Sequence, residues 1–189
     1  MNYKELFNRV VTLISSPSKA WSEIKVSDGR NRVMTDFVYP MIGLCSLSVF
    51  IGVLIESKAE VSLVQEAMSK CCAIAVSLFG GYFLAAYLVD IVGQKYLNRP
   101  SQFELCCQLV GYSMAIPFVL NIIYGIFPIK LLFWLLQLYV LFVVFEGARS
   151  LMNVNREKIT NYTVITSCIV LFCPAIISWI FNKLTVILN

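Results

Sequence analysis

The hydrophobic positions of the chain fall into five long runs separated by short polar segments. These runs cover roughly residues 37–55, 71–89, 106–127, 129–147 and 162–184. An α-helix rises ~1.5 Å per residue, so about 20 apolar residues cross the ~30 Å hydrocarbon core of a bilayer. The strict alternation of apolar and polar residues that is typical of a transmembrane barrel is missing from the sequence. The pattern predicts an all-α, polytopic membrane protein with five transmembrane helices.

The segment before the first run has the period of an amphipathic helix. Leu6, Val10 and Leu13 recur at intervals of three and four residues, and polar side chains lie mostly on the opposite face. This pattern predicts a helix in the headgroup region of the membrane. The helix should end near Ser16, and Pro17 can begin a second short helix.

Four side chains of this segment are expected to anchor it at the membrane interface: Phe7, Val10, Ile14 and Trp21. Tryptophan and large apolar side chains favour this region of the bilayer. Two interpretations stay open. The segment either docks a partner or senses curvature, or it is an anchor that packs beneath the bundle. Both give a cytoplasmic amphipathic segment over residues 1–35 and a membrane domain over residues 36–189.

Composition and charge add an orientation to this picture. The 189 residues are 59 % hydrophobic and 14 % charged, whereas soluble domains carry about a quarter charged residues. Eleven of the 15 Lys and Arg residues precede the first run or follow the second and fourth runs. Because basic loops stay cytoplasmic, we expect a cytoplasmic N-terminus and, after five spans, a C-terminus outside. The net charge of +4 follows from this arrangement, and we expect no nucleic-acid binding.

Residues that could carry metal or catalytic chemistry are few. The sequence has no histidine, and its seven cysteines include no C-x-x-C pair. The pair Cys71 and Cys72 would lie at the opposite membrane face from Cys106 and Cys107, too far away for one tetrahedral zinc site. We therefore expect no metal, no cofactor, no catalytic residues and no enzymatic activity. Cys106 and Cys107 either pack as small apolar side chains or are S-acylated.

Polar residues inside the predicted spans form a candidate ion or ligand site. They are three carboxylates near span ends and two amides closer to the membrane centre: Asp90, Glu104, Glu146, Asn121 and Gln137. Ionisable groups are costly in a bilayer and often functional, but near span ends they can pair with arginines, as Glu146 could with Arg149. The amides can hydrogen-bond between helices. A structural role and a cation, proton or ligand site both stay open.

Small residues recur every four positions in the second run. They are Ala73, Ser77, Gly81 and Ala85. Such spacing lets helix backbones approach closely. Gly111 and Ala115 repeat it in the third run, and Ser48 and Gly52 in the first. The sequence therefore predicts a tight bundle of spans one to three, with homodimerisation through span two as the functional alternative.

The third run also contains a motif of polar and helix-breaking residues within the sequence VGYSMAIP. Its members are Gly111, Tyr112, Ser113 and Pro117. With five predicted spans, this motif resembles the Yip domain family, named for Ypt/Rab-GTPase-interacting proteins, which carries a GYS...P signature in a middle span. The stretch DFVYP, with Asp36 and Pro40, is similar to that family's Asp-Leu-Tyr-Gly-Pro motif. Gly111 should permit close helix packing, Pro117 should bend the span, and Tyr112 should point into the bundle towards a polar partner.

The resemblance implies a protein that binds a partner or organises the membrane through its cytoplasmic face. The short prokaryotic branch fits best, which implies the bacterial cytoplasmic (inner) membrane. Its partners would be the lipid bilayer and another membrane or membrane-associated protein. Eukaryotic relatives bind prenylated Rab GTPases through a longer N-terminal region, so a Rab-type GTPase is not expected for this short segment. The alternative is a small transporter or channel that uses the carboxylates and Gln137.

Overall fold

The fold is a bundle of long apolar helices with two short helices packed against one end. The computed structural model describes residues 3–26, 33–56, 63–126 and 136–188, and within these ranges the chain contains helices and no strands. The helices are α1 (Tyr3–Ser15), α2 (Pro17–Val26), α3 (Tyr39–Glu56), α4 (Leu63–Leu97), α5 (Phe103–Ser113), α6 (Ala115–Ile126), α7 (Val140–Ser150) and α8 (Arg156–Leu188). A π-helical turn, Met34–Val38, leads into α3.

Four described segments are long and apolar enough to cross a membrane. They are Met34–Ile55, Leu63–Leu97, Phe103–Ile126 and Arg156–Leu184. They coincide with the first, second, third and fifth runs. The remaining run, 129–147, lies partly outside the described residues, as does residue 127 at the end of the third run. Its described part contains α7, whose 11 residues are about 16 Å long. Five spans and the orientation derived from them stay predictions.

The second span is longer than its apolar run because polar residues continue the helix. The sequence predicts a span at 71–89, but α4 covers 35 residues, Leu63–Leu97. In its first turns, Lys70 Nζ lies 2.7 Å from Glu66 Oε1, an i,i+4 ion pair. Such pairs stabilise exposed helical turns. Helix α4 therefore extends beyond the hydrocarbon layer.

Prolines mark the two irregular points in the spans. Pro40 has no N–H to donate in the first turn of α3, and just before it the N–H of Tyr39 donates to the carbonyl of Met34, five residues back. Pro117 stands in the first turn of α6, and the third span is interrupted at Met114, between α5 and α6. The interruption lies three residues before the proline that removes a helical hydrogen bond.

At two glycines, one in α3 and one in α4, the spans approach each other very closely. A Cβ on Gly52 of α3 would overlap the carbonyl oxygen of Gly125 in α6, and a Cβ on Gly81 of α4 would lie 2.5 Å from the Cα of Pro174 in α8. The first contact agrees with the predicted packing of spans one and three. The second occupies the small-residue face of α4 with this chain's own last helix. A homodimer through span two would therefore need a different face of α4.

Candidate functional site

The candidate site is the α1–α2 end of the bundle, formed by these two helices and by the loops at 98–102 and 151–155. The predicted amphipathic helix and the second short helix after it are both confirmed. Leu6, Val10 and Leu13 of α1 are buried, and α2 buries Trp21 with Pro17, Ala20 and Ile24. Both helices pack against the membrane bundle through these faces.

The four predicted interfacial anchors do not share one environment. Trp21 is fully buried within the protein, and its Nε1 donates a 2.9 Å hydrogen bond to the carbonyl oxygen of Val143 in α7. Val10 is also buried, Ile14 is half-buried, and Phe7 is exposed over 67 % of its surface. Trp21 thus departs from its expected position at the lipid interface, because its indole N–H has a backbone acceptor inside the bundle.

Tyr112 of the third span lies at the centre of this contact. Its hydroxyl accepts a 2.6 Å hydrogen bond from Nη1 of Arg9 in α1, and the Arg9 guanidinium lies 5.5 Å from the ring centroid. The rings of Trp21 and Phe37 lie 6.0 and 5.0 Å away. Tyr112 therefore points into the bundle and meets a polar partner, but that partner is in the N-terminal segment rather than in another span.

A second hydroxyl strengthens the attachment of α1. The hydroxyl of Tyr139 donates a 2.8 Å hydrogen bond to the carbonyl oxygen of Ile14, near the last turn of α1. The last carbonyls of a helix have no partner within the helix. One of them is thus satisfied by the segment that leads into α7.

The remaining motif residues have simpler environments. A Cβ on Gly111 would lie 3.0 Å from Cγ2 of Val33, so a larger residue would require the neighbouring side chains to shift by a few tenths of an ångström. Ser113 is buried, and its hydroxyl has no hydrogen-bond partner among the described residues. Asp36 is exposed and Pro40 is half-buried at the start of the first span.

Asp90 is the best-connected residue of the predicted polar site. It is 7 % exposed. Its carboxylate accepts hydrogen bonds from Ser101 Oγ at 2.7 Å, from the backbone N–H of Gln102 at 2.9 Å and from Gln94 Nε2 at 2.8 Å. The thiol of Cys106 lies 3.8 Å from Oδ1. Asp90 therefore ties the end of α4 to the loop at 98–102 and to the start of α5.

The other candidate polar residues do not join it in a metal site. Glu104 is exposed, Glu146 and Gln137 are half-buried, and Asn121 Nδ2 donates to the carbonyl oxygen of Pro117 at 2.8 Å. The described part of the chain contains no group of three or more His, Cys, Asp or Glu residues that could hold a metal ion. The described ion pairs, Lys19–Glu23 and Lys70–Glu66, include none of the predicted carboxylates.

The cysteine pair at the start of the third span is enclosed. Cys106 and Cys107 are only 1 % and 2 % exposed. An acyl chain needs an accessible thiol, so their positions favour packing over S-acylation. All seven cysteines are free.

Arg9 and Arg99 have contacts that the sequence did not predict. Arg99 donates to the backbone carbonyls of Met152 and Asn153, and Lys25 Nζ at the end of α2 donates to Asn153 Oδ1 at 3.3 Å. These bonds join the ends of α2, α4 and α7. From the sequence, Arg9 serves only as a topology signal, and Arg99 is also a candidate partner for the span-end carboxylates; the structure gives Arg99 backbone carbonyls as acceptors instead. The position of Arg9 directly before Val10, a residue of the predicted buried stripe, was the signal in the sequence that Arg9 could contact the bundle.

Long apolar helices, an interrupted central span and a docked amphipathic segment define a polytopic α-helical membrane protein. A family model for the Yip1 domain matches residues 11–179, and the chain belongs to this family. The matched range begins inside α1 and includes α2, so it covers most of the docked segment. Searches of curated proteins and of solved structures give no significant match.

Proposed function

We propose that this protein is a non-enzymatic membrane-organising protein that acts through α1 at the cytoplasmic face. The observation that carries this proposal is the presence of two apolar stripes on α1. One stripe packs on the bundle. The other consists of Tyr3, Phe7 and Val11, spaced by four residues and exposed over 70 %, 67 % and 45 % of their surfaces.

A helix at the bilayer surface buries its apolar face about 5–10 Å into the boundary between headgroups and acyl chains. Free amphipathic helices can leave this position, but α1 is fixed to the bundle through Arg9 and Tyr112. The exposed stripe is therefore held in one place relative to the spans. A wedge at a fixed depth in one leaflet supports a role in shaping or organising the surrounding bilayer.

The transporter alternative has less support. Three polar hydrogen-bond donors of this chain already occupy both carboxylate oxygens of Asp90. A transported cation would have to displace them. The described ranges also contain no cluster of metal-ligating side chains.

The proposal includes a cytoplasmic N-terminus and the bacterial cytoplasmic membrane, both from charge distribution and family resemblance. A second membrane protein, or a membrane-associated protein, could bind the same exposed stripe in place of lipid. A Rab-type GTPase is not part of the proposal.

Depth-dependent quenching tests the contact with lipid. Phe7→Trp gives a fluorescent probe in the stripe, and Val26→Trp gives a matched probe at the end of α2, where Val26 is 84 % exposed. In vesicles with brominated acyl chains, after subtraction of the signal of the three native tryptophans measured in the unmodified chain, we expect stronger quenching at position 7 than at position 26. Equal and weak quenching at both positions would show that the stripe faces water or a protein.

Vesicle morphology tests the organising role itself. Electron microscopy should show that the reconstituted protein changes vesicle diameter or produces tubules. Phe7→Ser should reduce this effect, whereas Val26→Ser should leave it unchanged. If empty vesicles and vesicles with the protein have the same shapes at high protein density, the organising role is wrong.

A further inference from the structure

Four buried hydroxyl groups on α8 have no hydrogen-bond partner among the described residues. These groups, which we call the α8 hydroxyl cluster, belong to Tyr162, Thr163, Thr166 and Ser167. All four residues are at most 4 % exposed. Their spacing places them on one side of the helix. That side faces the protein interior rather than lipid.

Ser113 is also unpartnered, but the other buried hydroxyls among the described residues are satisfied by the chain itself. Ser46 and Ser77 donate to backbone carbonyls one turn earlier in their own helices, at 2.9 and 3.0 Å. The buried Tyr82 donates to the carbonyl oxygen of Cys107. The α8 hydroxyl cluster differs from these groups. Because a buried unpaired hydroxyl is costly, it requires a partner.

Two hydroxyls of the cluster, those of Tyr162 and Thr166, indicate what the partner is. The hydroxyls of Tyr162 and Thr166 are one helical turn apart and close enough for a weak hydrogen-bonding interaction, yet their geometry falls short of a direct hydrogen bond. A polar contact beyond hydrogen-bond reach is often bridged by water.

The cluster lies on the Asp90 side of the bundle. Asp90, Cys106 and Arg99 are among the groups near the Tyr162 hydroxyl, and no hydrogen bond among the described residues joins them to it. Asp90 is seven residues from the end of α4, and Tyr162 is six residues from the start of α8. At ~1.5 Å per residue, both are about 10 Å from the α1–α2 end.

We propose that the α8 hydroxyl cluster binds internal water molecules, which form a hydrated pocket between α4, α5 and α8. The required ligand is small and uncharged, because the orphan groups are neutral hydroxyls that can both donate and accept. The nearest carboxylate, Asp90, already has its own donors. Water has the two to four bonds that such a polar site needs.

X-ray hydroxyl-radical footprinting tests this proposal directly. Radiolysis of bound water oxidises the adjacent side chains even when they are buried. We expect Tyr162 to be oxidised several-fold faster than Tyr82 in the full chain in nanodiscs. Tyr82 is the matched control, because it is equally buried and its hydroxyl is bonded to protein. Equal, slow oxidation of Tyr162 and Tyr82 would overturn the proposal.

Hydroxyl deletion gives an independent measurement. Thr166→Val keeps the side-chain shape and removes one hydrogen-bonding group. If the site holds water, the melting temperature should fall by about 2–4 °C. If the hydroxyl is unpaired, its removal should raise the melting temperature, because a desolvation penalty is relieved; this result would contradict the proposal. Ser77→Ala, which removes a hydroxyl bonded within its own helix, is the control.

Discussion

Arg9 and Tyr112 join the amphipathic segment to the family motif. The guanidinium donates a 2.6 Å hydrogen bond to the phenol and lies over the same ring. One side chain of the GYS...P motif thus binds a residue outside the membrane bundle. The motif tyrosine holds α1 in place, while its glycine neighbour permits the close packing of the third span.

Removal of the Tyr112 hydroxyl should loosen α1. Tyr112→Phe keeps the ring and its aromatic contacts but deletes a hydrogen bond to a charged donor, a loss of about 1.5–3 kcal/mol. Hydrogen exchange should become faster in residues 3–15. Tyr87→Phe is the control, since Tyr87 is exposed on α4. Unchanged exchange in α1 after Tyr112→Phe would contradict the assigned role.

The contact between spans one and three predicts that alanine substitutions at two glycines of α3 will have very different effects on stability. Gly52→Ala places a methyl group on the backbone of Gly125 and should destabilise the fold by about 3 kcal/mol or more, the upper range for overpacking. Gly43 has open space around its Cα, so Gly43→Ala should be neutral or stabilising by up to about 1 kcal/mol. Thermal unfolding in detergent compares the two. Equal stability would show that α3 and α6 are farther apart.

The small-residue face of α4 gives a test that separates folding from dimerisation. Gly81→Ala should reduce stability by about 1–3 kcal/mol through overlap with Pro174, and Gly93→Ala on the same helix meets no atom within 4 Å. Light scattering should give the same oligomeric mass for both variants. A change in mass with unchanged stability in Gly81→Ala would instead indicate a dimer through this face.

Asp90 should act as a structural clamp. Asp90→Asn replaces one acceptor oxygen with an NH2 group, so at least one of the three polar donors loses its acceptor, at a cost of about 1.5–3 kcal/mol. Proteolysis and hydrogen exchange should increase in residues 98–106. Glu104→Gln, a change at an exposed carboxylate, should have no such effect. Retained protection together with a loss of ion flux in proteoliposomes would favour the transporter alternative.

Hydrophobic period and proline position predicted much of the fold. The apolar runs located four spans, and the spacing of Leu6, Val10 and Leu13 predicted both α1 and its buried face. The apolar runs underestimated the lengths of α4 and α8, because polar residues can add further turns to both ends of an apolar helix. A run length reports the thickness of the hydrocarbon layer rather than the length of the helix.

The partners of polar side chains were harder to predict. A tryptophan near a membrane surface is usually interfacial, but Trp21 has an acceptor 122 positions away in Val143. Arg9 and Tyr112 are 103 positions apart. No local sequence pattern specifies such pairs, because the periodicity of side chains describes the faces of one helix and not how two helices pack against each other. The sequence placed Asp90 at the end of a span. It did not predict the donors from the following loop, because they depend on how that loop turns back towards α4.

The bond between Trp21 and Val143 also sets an order of events during synthesis. Because the acceptor is made 122 residues after the donor, at about 5–20 residues per second the N-terminal helices wait roughly 6–25 s for it. Helices α1 and α2 therefore leave the ribosome well before they can reach their final position. During that interval α1 and α2 can meet the bilayer or a chaperone before they meet their own bundle.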